Sequence, residues 1–500
     1  MHVNRRNTMD SANLRSRKMR EQPIGKLLLN MSLPAILSML VQALYNVVDS
    51  IFVANYSKNA GFGDAGITAL SAVFPMQMLT MALAIGIGVG TNVQIAKRLG
   101  EGRNEDASAV ARTGVFMAAC GAVIAVILGL TASRPFAVAF AKGDKQVEDM
   151  AATYLTIVTA VSVGMFIEIT LSKTLQATGN MKVPMISQLI GAITNIILDP
   201  LLIFGIGFFP TMGVRGAAIA TVTGQICAMI FVIIMFIVKK HDVSLDFRKF
   251  RLRKENVSAI CIIGLPTTVM NAVGGFTTLI LNLFLNMISD SGVAILGVYF
   301  KLQSFIFMPV FGLMQGLMPI LSYNYGYGDK KRFVHAYKLA QITSAIIMAV
   351  GLVLFQVLPR LLMGMFLSDP QAMSDGIFAL RIISISFLPA AFGICMTNVM
   401  QAFGKGLTSL IMSLLRQVVL LIPLGALLAF TMGLNGFWFT YPIAEMVVFG
   451  VFLPYTIVTI NKKFKGVTPL EDKPQDGGEP QGEEEIVAEE GEPSIQSVEG

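Results

Sequence analysis

Charge is scarce in this chain, and the scarcity sets the first limits. Only 14% of its 500 residues are Asp, Glu, Lys or Arg, against roughly 25% in soluble domains. There are four cysteines, three histidines and a single tryptophan. Cys120, Cys227, Cys261 and Cys395 all stand inside apolar stretches without CxxC spacing. That argues against a disulfide framework or a zinc site and leaves small buried hydrophobes. His2 and His241 lie in basic stretches and His335 in a short basic region at the edge of an apolar one, so proton chemistry within a membrane would fall to carboxylates. No GxxxxGK[ST] motif occurs, and no polar segment is long enough for a nucleotide-binding domain, which argues against ATP-driven transport.

What the chain does have is apolar length. Hydrophobic residues make up 54% of it and the mean hydropathy is +0.67. Apolar segments recur near 27–54, 66–96, 107–131, 147–172, 183–207 and 213–238. After a polar stretch they recur near 257–288, 293–325, 333–358, 376–402, 407–431 and 436–460. Each reaches or exceeds the roughly 20 residues that cross a bilayer. The first is too long for a signal-peptide core and has no small-residue cleavage site beyond it. Twelve spans are expected, in an all-α integral membrane fold.

With an even number of spans, both termini share one side. Counting Lys and Arg in the alternate connections gives twenty-seven on the terminal side and seven on the other. The positive-inside rule then places both termini in the cytoplasm. The net charge of +7 conceals a tail, Glu471 to Gly500, with eleven acids and one lysine; without it, residues 1–470 carry +17. That basic excess belongs to topology and lipid headgroups, not to nucleic acid. The organisation expected is a basic N-terminus (1–26), a first lobe (27–238), a basic linker (239–255), a second lobe (256–461) and an acidic, disordered tail (462–500).

The halves echo one another at an offset of about 225–232 residues. Leu33-Pro34 is answered by Leu265-Pro266, and Gly90 with the Gly100–Arg103 turn by Gly316 with the Gly326–Arg332 turn. Leu175-Gln176-Ala177-Thr178-Gly179 is answered by Met400-Gln401-Ala402-Phe403-Gly404. Six helices per half make this a parallel repeat, two lobes related by a pseudo-two-fold axis along the membrane normal.

Outside the tail, four acids sit well inside apolar segments: Asp49, Glu168, Asp199 and Glu445. An acid there is costly and normally faces a cavity. Gln42, Tyr45, Asn46 and Asp49 fall at i, i+3, i+4 and i+7, on one helical face. Asp199 follows Asn195 by one turn, with Gln188 two turns earlier still. Asp49 and Asp199 come at similar depth, where two carboxylates would share a proton or, with nearby amide and hydroxyl oxygens, coordinate Na⁺. Glu168 is as compatible with a structural pair to Arg112 as with transport. In the second half, aligning Gly433-x-x-Gly436 with Gly213-x-x-Gly216 sets Glu445 against Gln225. Lys301 is placed to face Glu445 across the second lobe's cavity. The thirty methionines suit pliable apolar surfaces.

Two of these motifs carry a resemblance. Gln42-Ala43-Leu44-Tyr45-Asn46-Val47-Val48-Asp49-Ser50-Ile51-Phe52-Val53 resembles the first-helix signature of the multidrug and toxic compound extrusion (MATE) family. Asn195-Ile196-Ile197-Leu198-Asp199-Pro200 is similar to its fifth-helix motif. The likeness runs from about residue 20 to 460. It implies twelve helices in two lobes and antiport of organic cations against H⁺ or Na⁺. It makes Asp49 and Asp199 the ion-linked carboxylates, with Tyr45, Asn195 and Thr221 beside them; a Na⁺ would sit at Asp49, Asn195 and Asp199. No acid occurs between Pro266 and Met287, which favours the branch resembling the DNA-damage-inducible proteins. The remaining cavity candidates are Gln42, Asn46, Gln188, Gln225, Lys301, Glu445 and Glu168.

The expected protein is a secondary multidrug exporter, not an enzyme. It needs no cofactor beyond its coupling ion and works as a monomer in the cell membrane, the inner membrane of a bacterium. Two alternatives stay open. A flippase for a lipid-linked oligosaccharide would call for a more cationic cavity than Arg112, Lys301 and Arg416 supply. A non-transporting sensor or scaffold would leave the two polar stripes without a purpose.

Overall fold

The computed structural model describes residues 19–59, 65–140, 143–207, 209–239, 241–289, 291–367 and 369–470. Within the first helix, the side chains of Tyr45, Asn46 and Asp49 lie outside the described residues. The described chain is almost wholly helical, with no strand among these residues. Among the described residues ten helices are long and apolar enough to cross a membrane, and counting each of two bent pairs as one span brings the number to twelve.

In the first half the spans are α1 (Ile24–Asn59), α2 (Ala65–Gly100), α3 (Asn104–Thr131), α4 (Lys145–Ala160 and Val163–Ala177), α5 (Lys182–Phe204) and α6 (Val214–Val238). In the second they are α7 (Lys254–Ile288), α8 (Gly292–Tyr327), α9 (Lys330–Val357), α10 (Pro370–Ser384 and Phe387–Ala402), α11 (Gly406–Phe437) and α12 (Thr440–Lys463). Large apolar side chains such as Ile124, Leu130, Ile237 and Val357 stay more than half exposed. That is a fault in water and the expected surface in lipid.

The repeat is visible in the backbone. α4 bends by 46° and α10 by 47°. Short helices, Ser133–Phe140 and Pro359–Gly364, precede the two bent spans. Gly179 and Gly404 end their spans with φ of 80° and 75°. In both turns the next N–H closes on a carbonyl five residues back, Asn180 to Leu175 at 3.0 Å and Lys405 to Met400 at 2.9 Å. These are paired Schellman ends, in which the left-handed residue is best a glycine. Gly213 and Gly433 share a second unusual conformation, φ 55°, ψ −133° and φ 67°, ψ −156°. The pairing of Gln225 with Glu445 therefore holds in three dimensions.

Four spans of 35 or 36 residues, α1, α2, α7 and α8, are far longer than a bilayer requires. They join the lobes. A Cβ on Gly90 would strike the Ile260 carbonyl; one on Gly316 would lie 2.7 Å from the Ser32 nitrogen. A Cβ on Gly264 would lie 2.8 Å from the Gly86 carbonyl, and one on Gly312 2.5 Å from the Ile36 Cα. Gly100 meets the backbone of Tyr323, and Gly326 that of Lys97. Each contact has its mate 226 to 228 residues away, so α2 crosses α7 as α8 crosses α1. Pro34 and Pro266, 232 apart, are thus about one turn out of true register. All these contacts lie toward the termini. Arg98 adds a 2.9 Å hydrogen bond to Asn256 there, and Gln94 one of 3.2 Å to the Ala259 carbonyl. Further out, Gly275 and Gly297 have nothing within 4 Å of an added Cβ. Among the described residues the close backbone contacts between the lobes gather at the end nearer the termini.

Candidate functional site

Asp199 is fully buried, one residue before Pro200 in α5. The Asn195 amide, set to satisfy its neighbours, donates to Asp199 Oδ2 at 2.8 Å and accepts from the Thr221 backbone N–H at 3.0 Å and its hydroxyl at 3.3 Å. Glycines make this closeness possible. A Cβ on Gly224 would sit 2.6 Å from the Gly191 carbonyl, so α5 and α6 approach backbone to backbone one turn from Asn195. Asn195 and Thr221 are 2% and 5% exposed. The expected trio of Asp199, Asn195 and Thr221 is therefore brought together across two helices. A buried carboxylate beside an amide and a hydroxyl is a centre that a proton or a small cation would neutralise.

Tyr45, Asn46 and Asp49, the other half of the expected ion site, lie outside the described residues. Gln42 is half-buried on the same helix. Gln188 and Gln225 are half-buried too, and each has a buried Oε1 atom without a hydrogen-bond partner. Both remain acceptors for a bound molecule.

Glu168 does not pair with Arg112. It accepts hydrogen bonds from Ser172 at 2.7 Å and from Ser187 of α5 at 2.9 Å. Arg112 reaches back two turns along its own helix to Glu105, at 3.1 Å. The two helices present these groups to different neighbours, which spacing along one chain does not reveal.

Lys301 does not face Glu445 either. Two residues before it, Tyr299 is buried against Tyr441 of α12, ring centroids 5.9 Å apart. Two residues on a helix turn the side chain through about 200°, so Lys301 points away from α12. It is exposed, with its ammonium 5.7 Å from the Phe366 ring. The partner of Glu445 is Arg416 of α11, at 3.5 Å. Glu445 Oε2 and the Tyr441 hydroxyl are buried without partners. Arg416 stands in a π-helical stretch, Leu415–Leu421. Pro423 follows and cannot donate to the Val419 carbonyl, which favours a widened turn there.

Lys173 counts among the basic connections by its place in the sequence, but its side chain lies within the lobe seam. Its ammonium bonds Gln176 and, across the seam, Gln315 of α8, both at 3.0 Å. Gln315 also donates to Met39 Sδ at 3.3 Å. Gly88 makes room, since a Cβ there would fall 2.9 Å from Lys173 Cγ. One signal is present in the sequence: Lys173 precedes Gln176, a residue of the repeat, by three, so both share a face.

Two six-helix lobes, seamed at one end and enclosing a polar centre inside a lipid-facing shell, define a membrane transporter of the alternating-access kind. The family model for MatE matches residues 34–201 and 266–446, one stretch in each half. The chain belongs to the MATE family, whose members are transporters and not enzymes. The multidrug export protein MepA of Staphylococcus aureus (strain MRSA252) is 28% identical over 428 residues, 85% of this chain and 92% of that protein. An FAD transporter of Shewanella oneidensis is 25% identical over 455 residues, 89% of this chain and 97% of its own length. A crystal structure of MATE in complex with MaL6 superimposes with a TM-score of 0.83 at 25% identity, covering 90% of this chain and 99% of that one.

Proposed function

We propose that this chain exports lipophilic organic compounds, chiefly cations, in exchange for H⁺ or Na⁺. The observation that carries the reading is the buried Asp199–Asn195–Thr221 centre, found among the described residues in the first lobe only. The S. aureus relative, named for multidrug export, supports the substrate class. Asp49, expected from the sequence to stand at similar depth, would supply a second carboxylate for either ion. The basic count supports a cytoplasmic seamed end, with the coupling ion arriving from the opposite side. Ion binding neutralises Asp199 and favours the lobe arrangement in which cationic substrate is not held. The ion must bind one arrangement better than the other, because equal affinity shifts nothing. The setting is the bacterial cell membrane, with both termini inside and one chain sufficing.

A second reading has its own observation. Lys173 brings a cation to the seam between the lobes, and the S. oneidensis relative is named for an anionic cargo, FAD. Both readings meet in one experiment: proteoliposome flux of ethidium and of FAD under separately imposed pH and Na⁺ gradients. Gradient-driven ethidium flux that disappears in Asp199→Asn is the expected result. FAD flux lost in Lys173→Met, with no ethidium flux, would replace the first reading by the second. Ethidium flux unaltered in Asp199→Asn would sink the ion assignment.

A further inference from the structure

The linker between the lobes is more than a tether. Residues 241–253 fold back along α3, pinned by the Ser244 N–H donating to Ser108 Oγ at 3.0 Å. Asp246 caps a single tight turn, Phe247–Lys249, by accepting from the Arg248 N–H at 3.0 Å. Between this segment and the start of α3 lies a cavity of about 380 Å³.

Its lining is cationic beyond its own needs. Arg112 contributes from α3, and Arg248, Lys249, Arg251 and Arg253 from the linker. The two carboxylates on its wall are already engaged. Glu105 takes Arg112 Nη2 at 3.1 Å, and Asp106 takes Arg103 at 2.8 Å and Arg253 at 3.7 Å. Arg248, Lys249 and Arg251 form no ion pair among the described residues. Arg112 is 3% exposed, yet its Nη1 group has no hydrogen-bond partner. A buried guanidinium with an idle N–H pair is a donor awaiting an acceptor, because such groups are almost always satisfied in folded proteins.

The apolar residues of the same segment say what surrounds the cavity. Phe250 packs on Phe116 of α3, ring centroids 5.4 Å apart, and Phe116 faces outward, 39% exposed. Phe247 and Leu252 are 50% and 57% exposed. Cations around the cavity and bare aromatic and aliphatic groups beside it are the composition of a segment seated at a membrane surface.

We propose that this cavity binds the phosphate headgroup of an anionic phospholipid from the leaflet at the basic face. Arg112 Nη1 is the buried donor, and Arg248, Lys249 and Arg251 supply the remaining charge. The site also bears on the lobes. Asp106 on its wall offers its carbonyl to Arg98, 3.3 Å away, and Arg98 in turn holds Asn256 of α7. A headgroup bound here therefore steadies the seam at its cytoplasmic end.

The test uses the purified full chain in detergent, with thermal unfolding followed as dioleoylphosphatidylglycerol, dioleoylphosphatidylcholine or sodium phosphate is added. Saturable stabilisation by phosphatidylglycerol alone is expected, since a ligand of the native state raises the unfolding temperature with its concentration. Arg112→Gln should weaken the apparent affinity tenfold or more. Arg248→Gln with Arg251→Gln should weaken it by about fivefold per residue removed. Should Arg112→Gln fail to fold, the exposed pair decides the matter alone. An equal response to phosphatidylcholine overturns the proposal, as does the same saturable shift from phosphate alone. A phosphatidylglycerol shift unchanged in the exposed pair overturns it too.

Discussion

The fifth and sixth spans of the first lobe and the eleventh and twelfth of the second occupy matching places and are built in opposite ways. In the first lobe, Gly191 and Gly224 let α5 and α6 touch backbone to backbone, and the polar centre sits one turn further along. The offset set by Gly179 and Gly404 puts Arg416 where Gly191 stands. The offset set by Gly213 and Gly433 puts Ala444 and Glu445 where Gly224 and Gln225 stand. The second lobe thus spends the same crossing on an ion pair and widens α11 into a π-helical turn to hold it. The seam between the lobes, by contrast, keeps the glycines of α2 and α8 in both copies, Gly86, Gly90 and Gly100 answering Gly312, Gly316 and Gly326. Symmetry is retained at the seam between the lobes and dropped at this crossing within each.

The sharpest way to break that comparison is to neutralise the carboxylates one at a time. Asp199→Asn should reduce ion-driven dye efflux to background in vesicles, with expression and folding unchanged. Asn195→Ala should lower it about tenfold, the scale of a lost hydrogen bond to a charged group. Glu445→Gln should leave most of the coupled flux. If Glu445→Gln abolishes coupling and Asp199→Asn spares it, the lobes have been assigned the wrong way round.

Next in size is the seam. Gly90→Ala and Gly316→Ala each force a methyl group into the backbone of the opposite lobe, at Ile260 and at Ser32. Overpacking of this kind costs about 1–3 kcal/mol, which shifts the seamed arrangement against its alternative by roughly five- to hundredfold. Spin-label distances across α2–α7 and α1–α8 should show the same displacement for both variants. A large effect from one and none from the other would mean that the two crossings are not equivalent gates.

Much of this is legible in the residues alone. The number of spans, the two halves and the Asn195–Asp199 stripe follow from apolar length, from the paired glycine motifs and from helical spacing, whereas Thr221 enters only through the family resemblance. What escapes is lateral. Sequence pairs Glu445 with Lys301 because both are charged and in one lobe, whereas helix rotation turns Lys301 outward and brings Arg416 in. Glu168 and Arg112 share the terminal half of the bilayer but face different neighbours. Lys173 looks like loop charge because it stands four residues from the end of its span. Which faces of neighbouring helices meet depends on packing between elements far apart in the chain, and periodicity within one helix is silent on it.

A smaller effect tests the ion pair itself. Arg416 and Glu445 keep 28% and 14% side-chain exposure, so solvent screens the pair in part. Either Arg416→Gln or Glu445→Gln alone should cost about 1–2 kcal/mol by leaving a half-buried charge unmatched. Arg416→Gln with Glu445→Gln removes both charges at once. A double-mutant cycle on unfolding in detergent should show the pair recovering most of the loss. Additive losses would mean that the two side chains do not interact, and the contrast between the lobes would then rest on glycine packing alone.

The smallest effect compares the two Schellman turns. Gly404 has φ of 75° and nothing within 4 Å of an added Cβ, so Gly404→Ala carries only the strain of a left-handed alanine, about 1 kcal/mol. Gly179 has φ of 80°, and an added Cβ would also meet the Met19 Cε at 3.1 Å. Met19 ends in a flexible thioether and can yield by a few tenths of an ångström, so Gly179→Ala should cost slightly more. Unfolding in detergent should rank the two variants in that order and within about 1 kcal/mol of each other. A much larger loss at Gly179 would show that Met19, itself 2% exposed, is held rigidly. The segment before α1 would then be part of the first lobe's packing and not a loose leader to it.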